Sequence, residues 1–396
     1  MQYDVGKMWK KLAIVMVVCL VSLFIFWMPF LFKTQNFWGI NFDGRSMQTI
    51  VTNFDGANFL VVAKTLYNPK QIEVDFPSIL SGRKNLYFSA HYPGLPLVIR
   101  IFDIFLSGPN ALLASIILSN VLMAMALYLF FSLVVKNDKV ASYLTILALF
   151  IPARMLSMRG VGSNESLFIF FVLTSLIASS KGKSWLGVIL GSMAVLTRSP
   201  GILLFGAYLL QFTIYNLQFT KTVKDFAIQV RHFLPYLLIP LTLVGLWVYY
   251  GLVFHDFLAY FKVGGNINLY FPPFMVFASN FDWVSGMWLE DIIYNYIFYA
   301  LGIFLFWKNF ASLKPEYKTV GYFGMIYLTM LAFVVHRDIA RYALPIAPLA
   351  IAGFAPYINT RYFKIGLAII IVPVFLFSWN FILNNVQPIM DWAPFL

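Results

Sequence analysis

Five short polar motifs interrupt a chain that is otherwise strongly apolar. Ionisable side chains at membrane depth are costly and usually face a cavity, so the motifs mark candidate chemistry. We expect them to converge on one active site or transport vestibule. The motifs are NFDG (53–56), SAHYPGLP (89–96), RGVGSNES (159–166), TRSP (197–200) and HRDIARY (336–342).

Two acids in these motifs are the candidates for acid–base catalysis. Asp55 precedes a glycine and an apolar segment, and Glu165 stands at the start of an apolar run. Helix capping is the alternative for both residues. Asp55 could form an Asx turn or an N-cap, and a carboxylate in a first turn, such as Glu165, suits the helix dipole.

Three arginines and two neighbouring ring residues are candidates for substrate binding. Arg337 and Arg341 are four positions apart, so on a helix both side chains would project from one face and could bind a phosphate. The alternative is that both arginines extend to lipid headgroups at the membrane interface. Arg198 ends a short apolar run, where it marks a polar cavity or a structural anchor. His91 and Tyr92 precede a Pro-Gly turn, where a lone histidine is more often a hydrogen-bonded turn residue.

Two further pairs are considered as metal ligands. Glu73 and Asp75 are separated by one residue and could hold a metal or act as a base, although exposure to solvent is the default. His336 and Asp338 could also ligate a metal, but no second carboxylate lies at a diagnostic spacing. The sequence therefore assigns no cofactor and leaves a divalent cation, Mg²⁺ or Mn²⁺, open.

The composition indicates that a membrane bundle must position these motifs. Of 396 residues, 61% are hydrophobic and 11% are charged, against roughly 45–50% and 25% in soluble domains. With a mean hydropathy of +0.79, this excludes a soluble enzyme, a disordered chain and a disulfide scaffold, and predicts a polytopic membrane protein. The single cysteine, Cys19, excludes an intrachain disulfide and a cysteine metal site.

Eleven apolar runs approach the roughly 20 residues that a helix needs to cross the hydrocarbon. They predict an all-α bundle of about eleven transmembrane helices, forming a single integral membrane domain over 1–396 with no separate soluble domain. The first run follows three lysines and lacks a cleavage site, which indicates an uncleaved signal anchor. The runs are 12–32, 111–135, 140–157, 165–180, 184–197, 200–218, 233–253, 291–307, 319–335, 343–358 and 365–383.

The distribution of charge predicts which side faces the cytoplasm. Segment 94–106 is too short to span and carries Arg100 and Asp103, so we interpret it as interfacial. The side that includes the N-terminus then holds 15 of the 28 Lys and Arg residues with four acids, and the other side holds 13 basic and 12 acidic residues. The positive-inside rule makes the first side cytoplasmic. The net charge of +12 therefore requires no nucleic-acid partner.

This topology places all five motifs on the outer face of the cell membrane. The first outer loop, 33–110, contains segments 48–66 and 94–106, both of which we predict to be amphipathic interfacial helices that contact the bilayer. The second outer loop is 254–290.

With these residues laid out, their order resembles the PIG-V-type mannosyltransferases, a family within the GT-C glycosyltransferases. The later segment HRDIARYALPIAPLA is similar to the Arg-Tyr and proline segment near the end of many GT-C chains. Phe54, Asn58 and His91 differ from the residues usual in the family. The resemblance covers roughly 50–210 and rests on NFDGANFLVVA, SAHYPGLPLVIRIF, GSNESLFIFF and LTRSPGILL.

The resemblance implies inverting transfer of a sugar, mannose above all, from a polyprenyl-phosphate donor such as dolichyl phosphate mannose to a lipid, glycan or protein acceptor. Asp55 would then be the general base, and Glu165 would orient the partners of Asp55 or the sugar. Arg198 and Arg341, with Arg337 and the adjoining Tyr342, would contact the leaving phosphate, whose charge needs stabilisation; Tyr342 falls within the family's Arg-Tyr segment.

Three other functions stay open. A lipid-linked-sugar flippase or transporter would carry charges along the middle of several helices and internal pseudo-repeats, neither of which is evident in this sequence. A glycan ligase or polymerase of the cell envelope would share the outer vestibule and the arginines. A non-catalytic subunit of a glycosylation complex would tolerate Asp55→Asn, whereas an enzyme would not.

Overall fold

The structure, a computed structural model, describes residues 5–80, 83–216, 222–263, 269–278, 286–312 and 314–396. It is mostly helical, as predicted. Within these ranges Asn36–Phe37 and Ile40–Asn41 pair as a short antiparallel hairpin. The α-helices are α1 (Val5–Leu31), α2 (Gln48–Val51), α3 (Gly56–Thr65), α4 (Pro69–Asp75), α5 (Pro77–Leu80), α6 (Gly94–Asp103), α7 (Gly108–Val135), α8 (Asp138–Ala148), α9 (Arg154–Arg159), α10 (Glu165–Ser180), α11 (Ser184–Thr197), α12 (Leu203–Gln211), α13 (Val223–Phe233), α14 (Leu238–Phe254), α15 (Gly286–Phe306), α16 (Pro315–Phe333), α17 (Ile339–Tyr342), α18 (Ala347–Ile358) and α19 (Arg361–Leu383).

Short segments of other helix types extend or connect these helices. Two π-helical turns, Phe212–Asn216 and Trp307–Ala311, continue α12 and α15. The 3₁₀ turns are Asn85–Ala90, Ser199–Ile202, Leu234–Leu237, Ala259–Lys262, Met275–Phe277, Leu344–Ile346 and Ala393–Phe395.

The core is a bundle around α7. This helix packs against α1, α6, α8 and α10, while α10 also packs against α11, and α15 packs against α18. Helices satisfy their own backbone hydrogen bonds, which is why they can cross a medium without water. A proline lies in the first turn of α7, and the helix ends where Lys136 adopts a left-handed φ of 52°.

Six helical stretches in the described part of the chain are long and apolar enough to cross a membrane, so the chain is a multi-pass membrane protein. Each of the eleven apolar runs coincides with helical structure as far as it is described, residues 217–218 lying outside the described ranges, but eleven crossings are not confirmed. Run 140–157, for example, is α8 and α9 with a break at Pro152, which lacks an N–H and cannot continue a helix. The six are Met8–Leu31, Gly108–Val135, Lys224–Phe254, Trp288–Ala311, Ile339–Ile358 and Arg361–Leu383, and three shorter apolar helices are Glu165–Ser180, Ser184–Thr197 and Ser199–Ile214.

Segment 48–66 differs from the single interfacial helix predicted for it. It forms two helices, α2 and α3, separated by a turn in which Phe54 has a φ of 50°. Apart from Lys64, every residue of α3 is buried. The segment packs inside the bundle and is buried on nearly all sides, including the polar Asn53 and Asn58, so it does not present one face to a membrane surface.

In segment 94–106, residues 94–103 form α6, which buries Leu95 and Ile99 against the bundle and leaves apolar side chains such as Ile101 exposed. The guanidinium of Arg100 donates to the carbonyl oxygen of Ala63 at 2.8 Å. Asp103 forms an ion pair with Lys64, with 3.0 Å between Oδ1 and Nζ. In the second predicted outer loop, 254–290, residues 264–268 and 279–285 lie outside the described residues.

Candidate active site

All five polar motifs contribute to one cavity of about 680 Å³. The structure thus brings together residues that are up to 287 positions apart in the sequence. The lining residues are Asp55, Phe59, Arg83, Lys84, Leu86, Tyr87, Ala90, His91, Tyr92, Asn164, Thr197, Arg198, Ser199, Tyr260, Lys262, Val263, His336, Arg337, Arg341 and Tyr342.

The turn before α3 presents Asp55 to this cavity. Asp55 occupies the N-cap position of α3, but its side chain makes no capping hydrogen bond. The preceding Phe54 holds a left-handed conformation that is strained for a bulky residue, and its ring stacks on Phe381 with 5.5 Å between centroids. The Asp55 side chain is 27% exposed, so its carboxylate is available to a ligand in the cavity.

Arg341 joins the two acidic candidates. Its Nη2 donates to Oδ2 of Asp55 at 2.8 Å, and its Nε donates to Oε1 of Glu165 at 2.5 Å. Arg198 donates to the same Oε1. The four side chains therefore form a network with no net formal charge, in which two guanidinium groups share two carboxylates.

Glu165 lies beneath the cavity and does not line it. Its side chain is 1% exposed, because the first turn of α10 and the two arginines enclose it. A buried charge requires such compensation. In this position Glu165 contacts the two arginines and cannot touch a ligand in the cavity directly.

Arg337 and Arg341 do not share a helical face, which differs from the prediction. Helix α17 begins only at Ile339, so Arg337 precedes it. The side chain of Arg337 lines the cavity, and its carbonyl oxygen accepts a hydrogen bond from Trp288 Nε1 at 2.6 Å. Arg341 instead points inward to the carboxylates.

The charge of Asp55 is favoured by its surroundings. Burial opposes ionisation, but the adjacent Arg341 and the nearby His91 outweigh it and hold the pKa of Asp55 well below its ordinary value. His91 Nε2 lies 3.6 Å from Oδ1 of Asp55, and the His91 carbonyl accepts a hydrogen bond from Tyr67 at 2.7 Å. Asp55 is therefore anionic at neutral pH.

The remaining aromatic candidates also lie in the cavity wall. Tyr92 packs its ring edge-on to Tyr260, with 5.3 Å between centroids. The hydroxyl of Tyr260 donates to Ser199 Oγ at 2.9 Å. Tyr342 is held by its carbonyl, which accepts a hydrogen bond from Tyr327 at 2.9 Å. Rings of this kind can stack on a sugar.

The candidate metal ligands do not converge. Glu73 lies outside the cavity wall and accepts a hydrogen bond from Asn85 at 2.5 Å, and Asp75 is also away from the wall. His336 Nδ1 accepts the backbone N–H of Asp338 at 2.9 Å. Across the described ranges, no three His, Cys, Asp or Glu side chains are grouped to hold a metal.

His336 contributes no charge to the site. Burial lowers its pKa to about 4 despite the attraction of Asp338. At neutral pH this imidazole is therefore uncharged.

Sequence reasoning missed four cations at the site. Arg83, Lys84 and Lys262 line the cavity, and the Arg-Lys pair just before SAHYPGLP was a signal that could have indicated two of them. Arg154 is buried behind the cavity, 3.1 Å from Asp338 and 3.7 Å from the centroid of the Phe381 ring. Nothing in the local sequence distinguishes Arg154 from an ordinary flanking arginine.

No protein-family model matches this chain, and neither does any curated protein sequence. Nine chains of solved structures match its fold, among them the following two. The crystal structure of ArnT from Cupriavidus metallidurans bound to undecaprenyl phosphate has a TM-score of 0.53 and 16% identity, and the match covers 93% of this chain and 64% of that chain. The second is the archaeal oligosaccharyltransferase AglB from Archaeoglobus fulgidus in complex with an inhibitory peptide and a dolichol-phosphate. Its TM-score is 0.51 at 12% identity, and the match covers 99% of this chain and 57% of that chain.

These similarities define the architecture of the chain. Both neighbours are GT-C glycosyltransferases, so the chain has the GT-C-like helical fold that was predicted, without the count of eleven helices. The chain spans less than two thirds of the length of either neighbour. The narrower resemblance to PIG-V-type mannosyltransferases stays a prediction.

Proposed function

We propose that this protein is a membrane glycosyltransferase that moves a sugar from a polyprenyl-phosphate donor to a hydroxyl of a lipid, glycan or protein acceptor. One observation carries the proposal. Asp55 is the single carboxylate among the described lining residues of a cavity whose other formally charged residues are all basic. Transfer of a sugar from a lipid phosphate requires a base beside groups that bind an anion. The GT-C-like fold is consistent with this reaction.

In the proposed reaction the acceptor oxygen attacks the anomeric carbon of the donor. The bond from that carbon to the phosphate oxygen breaks, and its electron pair stays on the phosphate. Asp55 takes the proton of the acceptor hydroxyl. Attack opposite the leaving group inverts the anomeric configuration, and no covalent enzyme intermediate is needed.

Arg341 connects phosphate binding to the strength of the base. Its guanidinium neutralises Asp55 at 2.8 Å, and a carboxylate so paired is a weak base. A donor phosphate beside Arg341 would compete for the same N–H groups. Weakening the pair raises the proton affinity of Asp55 when the donor is bound, which is when the base is needed.

Glu165 serves this reaction as a positioning residue. Its Oε1 accepts hydrogen bonds from Arg198 and Arg341, and so it holds two cations at the floor of the cavity without contacting the substrates. Asp55 is therefore the base in this proposal, and Glu165 holds the two arginines in place.

The sidedness and the sugar also belong to the proposal. The surplus of Lys and Arg on one side of the bundle supports a cytoplasmic N-terminus and a site on the outer face of the cell membrane. The similarity to PIG-V-type enzymes supports mannose as the sugar.

The test is a transfer assay with the purified chain in liposomes. Polyprenyl-phosphate mannose, glucose and arabinose are supplied, each labelled in the sugar, with a crude acceptor pool. We expect release of polyprenyl phosphate with one donor, and a loss of about 10²-fold or more for Asp55→Asn. Asp391→Asn, an exposed acid away from the cavity, is the matched control and should retain activity.

Two outcomes would contradict the proposal. Consumption of no donor would argue against a transferase. Movement of the intact lipid-linked sugar across the bilayer without release of polyprenyl phosphate would identify a transporter instead.

A further inference from the structure

Basic residues are concentrated around the cavity. Six of the 13 Lys and Arg residues on the predicted outer side line it, but of the 12 acids on that side only Asp55 lies in the described lining. A cleft lined by one sign of charge focuses the field and collects ligands of the opposite sign. The six are Arg83, Lys84, Arg198, Lys262, Arg337 and Arg341.

Three of these cations are neutralised by carboxylates. Arg198 and Arg341 share Glu165 and Asp55. Lys262 pairs with Asp256, with 2.6 Å between Nζ and Oδ2.

The other three, Arg83, Lys84 and Arg337, are here called the rim cations. They are exposed to solvent and line the cavity. Among the described residues no carboxylate lies within ion-pair distance of any of them. The guanidinium of Arg83 is also oriented, because it lies 4.4 Å from the centroid of the Tyr87 ring.

A single phosphodiester does not match this charge distribution. Such a donor carries one negative charge, which the inner arginines at the floor of the cavity, Arg198 and Arg341, can bind beside Asp55. Asp55 and Glu165 already balance those two arginines, so the three rim cations still exceed the single charge of the donor by two. Neutral His336 does not change this count.

We infer that the loaded cavity holds two phosphate groups, one at the inner arginines and a second at the rim cations. The inference rests on the proposed function and deepens it, because it defines the substrates. Either the acceptor carries a phosphate, or the donor lipid is a diphosphate. Both sources present the same chemistry to the rim, and binding measurements can distinguish them.

The experiment uses calorimetry on the full chain in nanodiscs of neutral phosphatidylcholine. Short-chain polyprenyl monophosphate and diphosphate are titrated separately, and inorganic phosphate is then titrated into the protein saturated with monophosphate. A diphosphate that binds about tenfold or more tightly than the monophosphate would place the second phosphate on the donor. Equal binding of the two lipids, with inorganic phosphate still binding to the saturated protein, would place it on the acceptor.

Variants test which residues are responsible. Arg337→Gln and Lys84→Gln should each weaken the second phosphate by about tenfold and leave monophosphate affinity within about twofold. Lys262→Gln, a cation of the same wall that Asp256 already neutralises, is the matched control and should change neither. Arg341→Gln should weaken the monophosphate itself.

Two results would overturn the inference. The first is equal binding of both lipids together with no binding of inorganic phosphate to the saturated protein. The other result is that a second phosphate binds with the same affinity to the wild type and to every variant of the rim cations. Failure of the proposed function is distinguishable, because a protein that binds two phosphates but transfers no sugar in liposomes would contradict only the transferase.

Discussion

Gly56 and Gly162 pack backbone against backbone. A Cβ on Gly162 would lie 2.4 Å from Cα of Gly56, and a Cβ on Gly56 would lie 2.1 Å from the carbonyl oxygen of Val51. Neither glycine has a positive φ, so space and not backbone conformation requires them. The contact brings the turn that carries Asp55 against the segment that leads to Glu165, and it thereby sets the distance between the two acids and Arg341.

We therefore expect Gly162→Ala to lower activity strongly. The added methyl must push the 53–56 turn away from the segment before α10, and a displacement of about 1 Å at a site costs about 10²-fold in rate. Overpacking of this kind also destabilises by about 1–3 kcal/mol. The measurements are transfer rate and thermal unfolding in detergent.

The control for that variant is Gly245→Ala. A Cβ on Gly245, within α14, meets nothing within 4 Å, so this change should preserve activity and, if anything, favour the helix. Wild-type activity in Gly162→Ala would contradict the role of the glycine contact.

The pH profile of kcat/KM should reveal the pairing of Asp55. Because its pKa is depressed in the free protein, the carboxylate stays ionised above that value and loses its charge only as the pH falls through it. We expect no acidic limb from Asp55 between about pH 5 and pH 8. In the Arg341→Gln variant, burial dominates and raises the pKa of Asp55. An acidic limb should therefore appear between about pH 5 and pH 8.

The shape of that profile, and not the height, is the readout, since Arg341→Gln also loses phosphate binding. Identical profiles for the wild type and the variant would argue against Asp55 as the titrating base.

Glu165→Ala should be the most destabilising change at the site. It removes a buried carboxylate that neutralises Arg198 and Arg341, and an uncompensated buried charge costs about 3–5 kcal/mol. Glu165→Gln keeps an acceptor and should cost less, while still lowering kcat because the arginines shift. The measurements are the thermal unfolding temperature and the kcat of both variants. A Glu165→Ala variant as stable as the wild type would contradict the role of Glu165 in neutralising the two arginines.

Arg154 should act on donor binding through Asp338. The Asp338 side chain lies 3.1 Å from Arg154, and its carbonyl oxygen accepts the backbone N–H groups of Arg341 and Tyr342 at 3.0 and 3.1 Å. Arg154→Met should loosen this turn and raise the KM for the donor about tenfold, with a smaller effect on kcat.

Arg154→Lys is the matched variant, because it retains the charge beside Asp338. It should recover part of the donor affinity, because a cation stays beside Asp338 while the stacking of the guanidinium on Phe381 is lost. A loss of stability in Arg154→Met with an unchanged KM for the donor would indicate a structural role only.

The predictability of the fold and of the site differs for a physical reason. Hydrophobic runs and turn residues are local properties, so the sequence by itself determined a helical, multi-pass class and the five polar motifs. It did not show that segment 48–66 breaks at Phe54, since an apolar segment buried on all sides and one lying on a surface differ only in what packs around them.

Only the tertiary structure decided which motif residues meet. Arg341 contacts Asp55 and Glu165, which are 286 and 176 positions away, and no spacing rule covers such distances. The rim residues Arg83 and Lys84 likewise acquire a cavity only through the packing of distant helices. Pairing of charges depends on which backbones can approach closely, and here two glycines from separate motifs permit that approach.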